Sequence, residues 1–199
     1  QSQTNNAKLT LSQIVRDSLQ RPTGSTFTFS NAATFVENVT LNQQRGYVTG
    51  YTNTLNGLTA GANYSYDKLG RMTGATVDTN QYQYGFGAPD ASCTGKAGLN
   101  TLASKNGNRS SMTVNGATTT YCYNNADQLI STSDVQVGSP QYDDHGNTTQ
   151  LAGNGSPLAF TYDASDANTS IAQGDNKVEY VKSAGGAVLV KKEFRNNTL

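Results

Sequence analysis

Charge, proline, tryptophan, histidine and long apolar runs are all scarce in this 199-residue chain. Only 14% of residues are charged, and 14 Lys and Arg balance 14 Asp and Glu to a formal net charge of zero. A nucleic-acid binder needs an excess of Lys and Arg to neutralise phosphates, so no nucleic-acid partner is expected. No stretch approaches the ~18 consecutive apolar residues of a membrane-spanning helix, and none is expected. The longest apolar-leaning run, Ala184 to Val190, is short and broken by glycine. One histidine, His145, and two cysteines, Cys93 and Cys122, are too few and too scattered for a zinc site. Neither a Gly-x-Ser-x-Gly elbow nor an Asp-x-Asp-x-Asp-Gly calcium loop occurs. Gly85-x-Gly87 is an incomplete nucleotide-binding pattern without a helix to follow it. The expectation is a protein without catalytic residues, metal ligands or cofactors, and not an enzyme. The chain opens at Gln1 with neither Met nor a signal segment, and it reads as a piece of something longer.

What is abundant is Thr, Asn, Ser, Gln, Gly and Tyr. The mean hydropathy of −0.57 therefore comes from neutral polar residues. Disordered chains combine low hydrophobicity with high net charge, and the charge is missing here. Thr and Tyr favour strands, while Asn and Gly supply turns with positive φ. The two cysteines either bridge, closing a loop of about 30 residues, or sit apart as buried thiols.

A repeat runs along the chain. Its clearest unit is Tyr64-Ser65-Tyr66-Asp67-Lys68-Leu69-Gly70-Arg71-Met72. Related units begin at Tyr121-Cys122-Tyr123, at Gln141-Tyr142-Asp143 with Gly146, at Phe160-Thr161-Tyr162-Asp163 and, more weakly, at Glu179-Tyr180. The anchor tyrosines are Tyr66, Tyr84, Tyr123, Tyr142, Tyr162 and Tyr180, which sets a period of about 18–20 residues, with one doubled interval. Lys105 to Ser110, including Arg109, sits where the skipped turn belongs. Each unit reads as an aromatic period-2 strand, a polar Asp/Asn/Gly turn and a second alternating strand. A lone hairpin is marginal in water, so the units must lie side by side. The fold class expected is all-β: an array of antiparallel hairpins forming a curved or spiral sheet. Residues 1–44 are an irregular lead-in, either a short helix around Leu11 to Leu19 or strands, with strands preferred. Residues 45–199 are the hairpin repeats. Tyr47, 19 residues before Tyr66, marks their start.

The pattern Tyr-x-Tyr-Asp-x-x-Gly-Arg-Met in phase with its variants resembles the YD repeat of RHS proteins, which include the shell component of bacterial Tc toxins and the YD shell of teneurins. The resemblance covers about residues 45 to 190. It implies a secreted or cell-surface bacterial scaffold whose hairpins wind into a hollow shell. In toxin members that shell holds a C-terminal effector. It also favours the Cys93–Cys122 bridge. Gln128, Ala167 and Ala187 replace the turn arginine, and Asn124, Gly85 and Val181 replace the aspartate. Those units are expected to lack the Asp/Arg contacts.

The partners implied are neighbouring repeats of the same parent chain or identical chains, an enclosed effector domain, and glycans stacked on the tyrosines. Other readings of the same hairpins are a self-assembling extracellular fibre, whose sheet edges pair chain to chain, and a carbohydrate-binding adhesin module. His145, amid Asp143 and Asp144, is expected to be a turn residue, and the repeated aspartates a ladder rather than a catalytic pair.

Overall fold

A computed structural model of the chain describes residues 8–196 and 198. It is all-β and antiparallel, with sixteen strands among the described residues in one ten-stranded and one six-stranded sheet, each in chain order. The ten are β1 (Leu9–Arg16), β2 (Pro22–Phe29), β3 (Thr34–Leu41), β4 (Val48–Leu55), β5 (Leu58–Tyr66), β6 (Met72–Val77), β7 (Asn80–Gly85), β8 (Ser111–Val114), β9 (Ala117–Tyr123) and β10 (Leu129–Thr132). The six are β11 (Gln141–Tyr142), β12 (Thr148–Leu151), β13 (Leu158–Tyr162), β14 (Asn168–Gln173), β15 (Asn176–Lys182) and β16 (Val188–Phe194). The stretch from Leu11 to Leu19, with its helical spacing, lies in β1 and the turn after it. Its residues Leu11 to Arg16 pair with β2, which satisfies backbone groups as a strand does. The chain forms two compact units. One is Gln1–Tyr84 with Thr113–Ala117, and the other is Gly85–Met112 with Thr118–Leu199.

In the first unit the register sorts side chains by chemistry. Residues directly opposite in neighbouring strands share a face. Leu11, Phe27, Phe35, Leu55 and Leu58 form one such row, and Val39, Tyr51, Ala62 and Val77 another on the same face. The Phe27 and Phe35 rings are 6.3 Å apart. The opposite face carries Thr26, Val36, Thr54 and Thr59 in one row, and Asn38, Thr52 and Gly61 in the next. Between the two apolar rows the first face carries Ser25, Glu37, Asn53 and Ala60, with Tyr51 Oη donating to Glu37 Oε1 at 3.0 Å. The layer is therefore amphipathic in rows rather than across a whole face.

Burial is thin. The buried positions among the described residues are small residues such as Ala62, Ala75, Ser131 and Ser170, together with the two cysteines. Stability must come from repeated backbone pairing and from side chains at the turns rather than from a filled core.

Two turn types alternate along the strands. Short tips such as Asn56-Gly57 and Asn115-Gly116 have positive φ at both residues, as a two-residue hairpin of this kind requires. The other type is a polar turn of five residues, six in the Asn42 turn. It follows every second strand, so within each unit these turns lie along one edge of the sheet. In the second unit they begin at Asn124, Asp143, Asp163 and Ser183, about 20 residues apart, matching the period read from the tyrosines. In the first unit they begin at Asp17, Asn42 and Asp67, about 25 apart, because β1 to β5 are eight or nine residues long.

Candidate functional site

The polar turns are where the repeat's distinctive residues converge. Asp67 Oδ1 accepts from the backbone N–H of Leu69 and of Arg71, each at 2.9 Å. Its Oδ2 accepts from Arg71 Nε at 2.7 Å. The backbone closes the same loop, with Asp67 N–H donating to Arg71 O and Gly70 N–H donating to Asp67 O, both at 3.0 Å. One carboxylate thus satisfies two backbone donors and a guanidinium that the turn would otherwise leave to water. Partial burial pushes the Asp67 carboxyl up, but the Arg71 and Leu69 hydrogen bonds outweigh it and hold the group below the usual carboxylate range. A carboxyl so depressed contributes stability present above its unfolded pKa and lost as pH falls through its folded value. Asp67→Asn is therefore expected to flatten the dependence of unfolding midpoint on pH below about pH 4. An unchanged slope in acid titration overturns the assignment.

At three of the polar turns the tyrosine before the turn ties its hairpin to the previous one. Tyr66 Oη donates to Val48 O at 2.8 Å, Tyr142 Oη to Leu129 O at 3.0 Å and Tyr162 Oη to Thr148 O at 2.9 Å. In all three cases the acceptor is the first strand residue after the preceding polar turn. Tyr66 also stacks on Tyr47, ring centroids 5.1 Å apart. Burial raises the Tyr142 phenol above its usual value, against the hydrogen bonds it makes at Leu129 and Thr148. Tyr162→Phe is expected to cost about 1 kcal/mol in urea unfolding, the net worth of one such hydrogen bond. A loss indistinguishable from zero removes this cross-hairpin role.

Several sequence expectations change at this level. Units without the turn arginine do not all lack a polar clamp. Asn124 accepts from Ala126 and Gln128 N–H through Oδ1, and its Nδ2 donates to Gln128 Oε1 at 2.8 Å, so a neutral amide pair replaces the ion pair. Asp143 receives Asn147 Nδ2 at 3.1 Å in the same place. Asp163 keeps its backbone contacts to Ser165 and Ala167, and Ala167 offers no side-chain partner.

The last unit is out of phase by two residues. Its turn starts at Ser183, whose Oγ accepts from Ala187 N–H, so Lys182 stands where the tyrosine belongs. Tyr180 is a mid-strand residue opposite Lys191. Arg109 donates from its guanidinium to Met112 Sδ at 3.5 Å, and that guanidinium lies 5.8 Å from the Tyr121 ring centre. Tyr84, in β7, precedes Gly85 and a long connection rather than a polar turn. Tyr123 immediately precedes the Asn124 turn, and burial raises its phenol.

Sequence reading also missed one clamp. Asp17 and Arg21 reproduce the Asp67–Arg71 geometry, with Arg21 Nε to Asp17 Oδ2 at 2.6 Å and Gln20 at φ 63 in the glycine position. The Asp-x-x-x-Arg spacing was visible, but Arg16 in place of tyrosine and Gln20 in place of glycine hid it.

Between β7 and β8 the chain makes a long connection with two short 3-10 turns, Ala91–Cys93 and Ala103–Asn106. A Cys93–Cys122 disulfide fastens it to β9, with Cys93 fully buried. Asn100 N–H donates to Tyr123 O at 2.7 Å, and Asn108 Nδ2 donates to Asp127 at 2.8 Å. The residues from Lys105 to Ser110 close this connection rather than forming a polar turn.

His145 occupies a turn position, its N–H donating to Asp143 Oδ1, and its ring reaches the next turn. Nδ1 lies 2.8 Å from Asp166 Oδ1, and Asn147 Nδ2 donates to the same oxygen at 2.8 Å. The Asp166 contact, then the charges of Asp166 and Asp143, raise the imidazole above its usual value. The pairing therefore adds stability that is present below the unfolded pKa near 6.5 and lost as pH rises through the folded value. Asp166→Asn is expected to lower the His145 pKa in an NMR titration. No change overturns the pairing.

Among the described residues, no cluster of three or more His, Cys, Asp or Glu is placed to hold a metal ion, and no helix is long and apolar enough to cross a membrane. No family model and no curated protein matches the sequence. Among solved structures, a porin-like protein from Bacteroides uniformis aligns over 97% of this chain and 91% of its own, at 13% identity and a TM-score of 0.28. A likeness at that level carries no argument about fold closure or function.

Proposed function

We propose that this chain is a structural segment of a secreted or cell-surface RHS/YD-repeat shell or scaffold of bacterial type. In the parent protein its curved hairpin array would close around a C-terminal effector. The observation that carries the reading is the use to which the repeat's characteristic residues are put. In six of the seven polar turns among the described residues an Asp or Asn folds the turn, and at Tyr66, Tyr142 and Tyr162 the tyrosine before it bonds to the preceding hairpin. Residues recurring once per unit are spent on joining units, which is the chemistry of a scaffold. The half-exposed apolar and aromatic rows on one face of the first unit suit a sheet that shields one side from water. Negative-stain electron microscopy of the full-length parent tests this: closed hollow particles are expected, and long regular fibres overturn it.

The fibre reading has its own support in two of the outer strands, β1 and β16. β1 is exposed along its whole length, and β16 leaves Val188, Leu189 and Val190 at 54%, 65% and 45% exposure. Unpaired outer strands of this kind invite strand addition. On β16 the charged run Lys191, Lys192 and Glu193 counters it.

A further inference from the structure

Four Asn-Gly dipeptides occur, at Asn56, Asn106, Asn115 and Asn154, and all four asparagines are exposed. Asn-Gly is the sequence most prone to self-modification, because glycine has no Cβ to shield its amide nitrogen. Access to water does not distinguish the four sites, but the hydrogen bonding of the side-chain amide does. Asn115 is held at both ends: its Oδ1 accepts from Gln81 N–H at 2.8 Å, and its Nδ2 donates to Asn80 Oδ1 at 3.0 Å. Asn106 Nδ2 donates to Asp127 Oδ1 at 3.3 Å. The side chains of Asn56 and Asn154 make no hydrogen bond among the described residues.

We propose that Asn56-Gly57, at the tip between β4 and β5, is a site of spontaneous deamidation, and that the matching tip Asn115-Gly116 is protected by its side-chain hydrogen bonds. The Gly57 amide nitrogen, losing its proton to solvent, attacks Asn56 Cγ. A C–N bond forms, the bond from Cγ to the side-chain nitrogen breaks, and ammonia leaves. Water then opens the succinimide at either carbonyl, giving Asp or isoAsp at position 56. No oxidant or further reactant is required. For Asn115 to react, its amide must first leave both partners and turn toward its own backbone, whereas Asn56 is already unbound. Gly57 and Gly116 both have open space around them, with nothing within 4 Å of where a Cβ would stand, so the two tips differ in side-chain hydrogen bonding and not in room at the glycine.

The outcome matters to the sheet. IsoAsp adds one backbone atom to a two-residue turn whose geometry sets the β4–β5 register. Either product also moves a chain of zero formal charge to −1. Asn154 shares the unbound amide and is expected to follow Asn56, while Asn106 falls between.

The test is peptide mapping of the folded 199-residue chain after incubation at mildly alkaline pH, scoring the mass increase of deamidation and isoAsp at each site. Asn56 is expected to convert about thirtyfold faster than Asn115, the factor set by two neutral hydrogen bonds that must first break. Asn80→Ala, which removes one of Asn115's two partners, is expected to speed conversion at Asn115 and leave Asn56 unchanged. Equal rates at Asn56 and Asn115, or no response of Asn115 to Asn80→Ala, overturn the proposal. Mapping under denaturant, where the two sites should converge, separates protection by the fold from an effect of local sequence.

Discussion

Replacing Cys93 and Cys122 together by serine is expected to remove about 3 to 4 kcal/mol from the unfolding free energy of the second unit. The bridge spans a sequence separation of 29, and closing a loop of that size in the unfolded chain accounts for a loss of this order. The folded side of the balance points the same way. The connection between β7 and β8 has little regular structure, and the disulfide is its best-buried contact with β9. Other contacts of the connection are polar, among them the Asn100 to Tyr123 backbone bond, the Leu99–Asn124 bridge, Ser92 on Thr120, and the amides of Asn106 and Asn108 on Asp127. Hydrogen exchange should therefore rise first across Gly87 to Asn108, while amides in β13 to β15 keep their protection. Urea unfolding of the double variant measures the global loss. A loss under about 1 kcal/mol, with unchanged exchange, would mean that the connection is held by its other contacts.

The second large effect is expected at Gly70. Its φ of 84 lies in the left-handed region, and a Cβ there would run into the Tyr47 hydroxyl and ring. Gly70→Ala adds backbone strain of about 1 to 2 kcal/mol. It must also displace Tyr47 from its stack on Tyr66, worth roughly another 0.5 to 1.5 kcal/mol. The total comes to about 1.5 to 3.5 kcal/mol. Gly57→Ala is the control, since Gly57 has a φ of 82 but open space around it. Only the backbone part should appear there, about 1 to 2 kcal/mol. Equal losses in urea unfolding of the two variants would show that the Tyr47 contact contributes nothing.

Much of the repeat was legible because its signals are local. Tyr64-x-Tyr66-Asp67 and Phe160-x-Tyr162-Asp163 announce a strand and then a turn by alternation and by residue type. Both effects act over a few neighbouring residues. What misled was any unit in which the tyrosine moved or vanished. Tyr180 looked like an anchor, but the turn begins three residues later at Ser183. Arg16 concealed a clamp at Asp17 that matches Asp67 nearly atom for atom. Gln128 looked like a lost arginine, and whether an amide pair could replace the ion pair depends on side-chain geometry that spacing does not report.

By itself the sequence determined the all-β class, the hairpin as the repeating unit, and the turns in which Asp or Asn folds its own backbone, because periodicity and φ preference are properties of short segments. Only the tertiary structure decided which carbonyl each tyrosine reaches, where the Cys93–Cys122 bridge fastens the long connection, and which asparagines are held or free. Those depend on strand register and on residues far apart in the chain being brought within hydrogen-bonding distance. Pairing across strands sets that, and no local pattern encodes it.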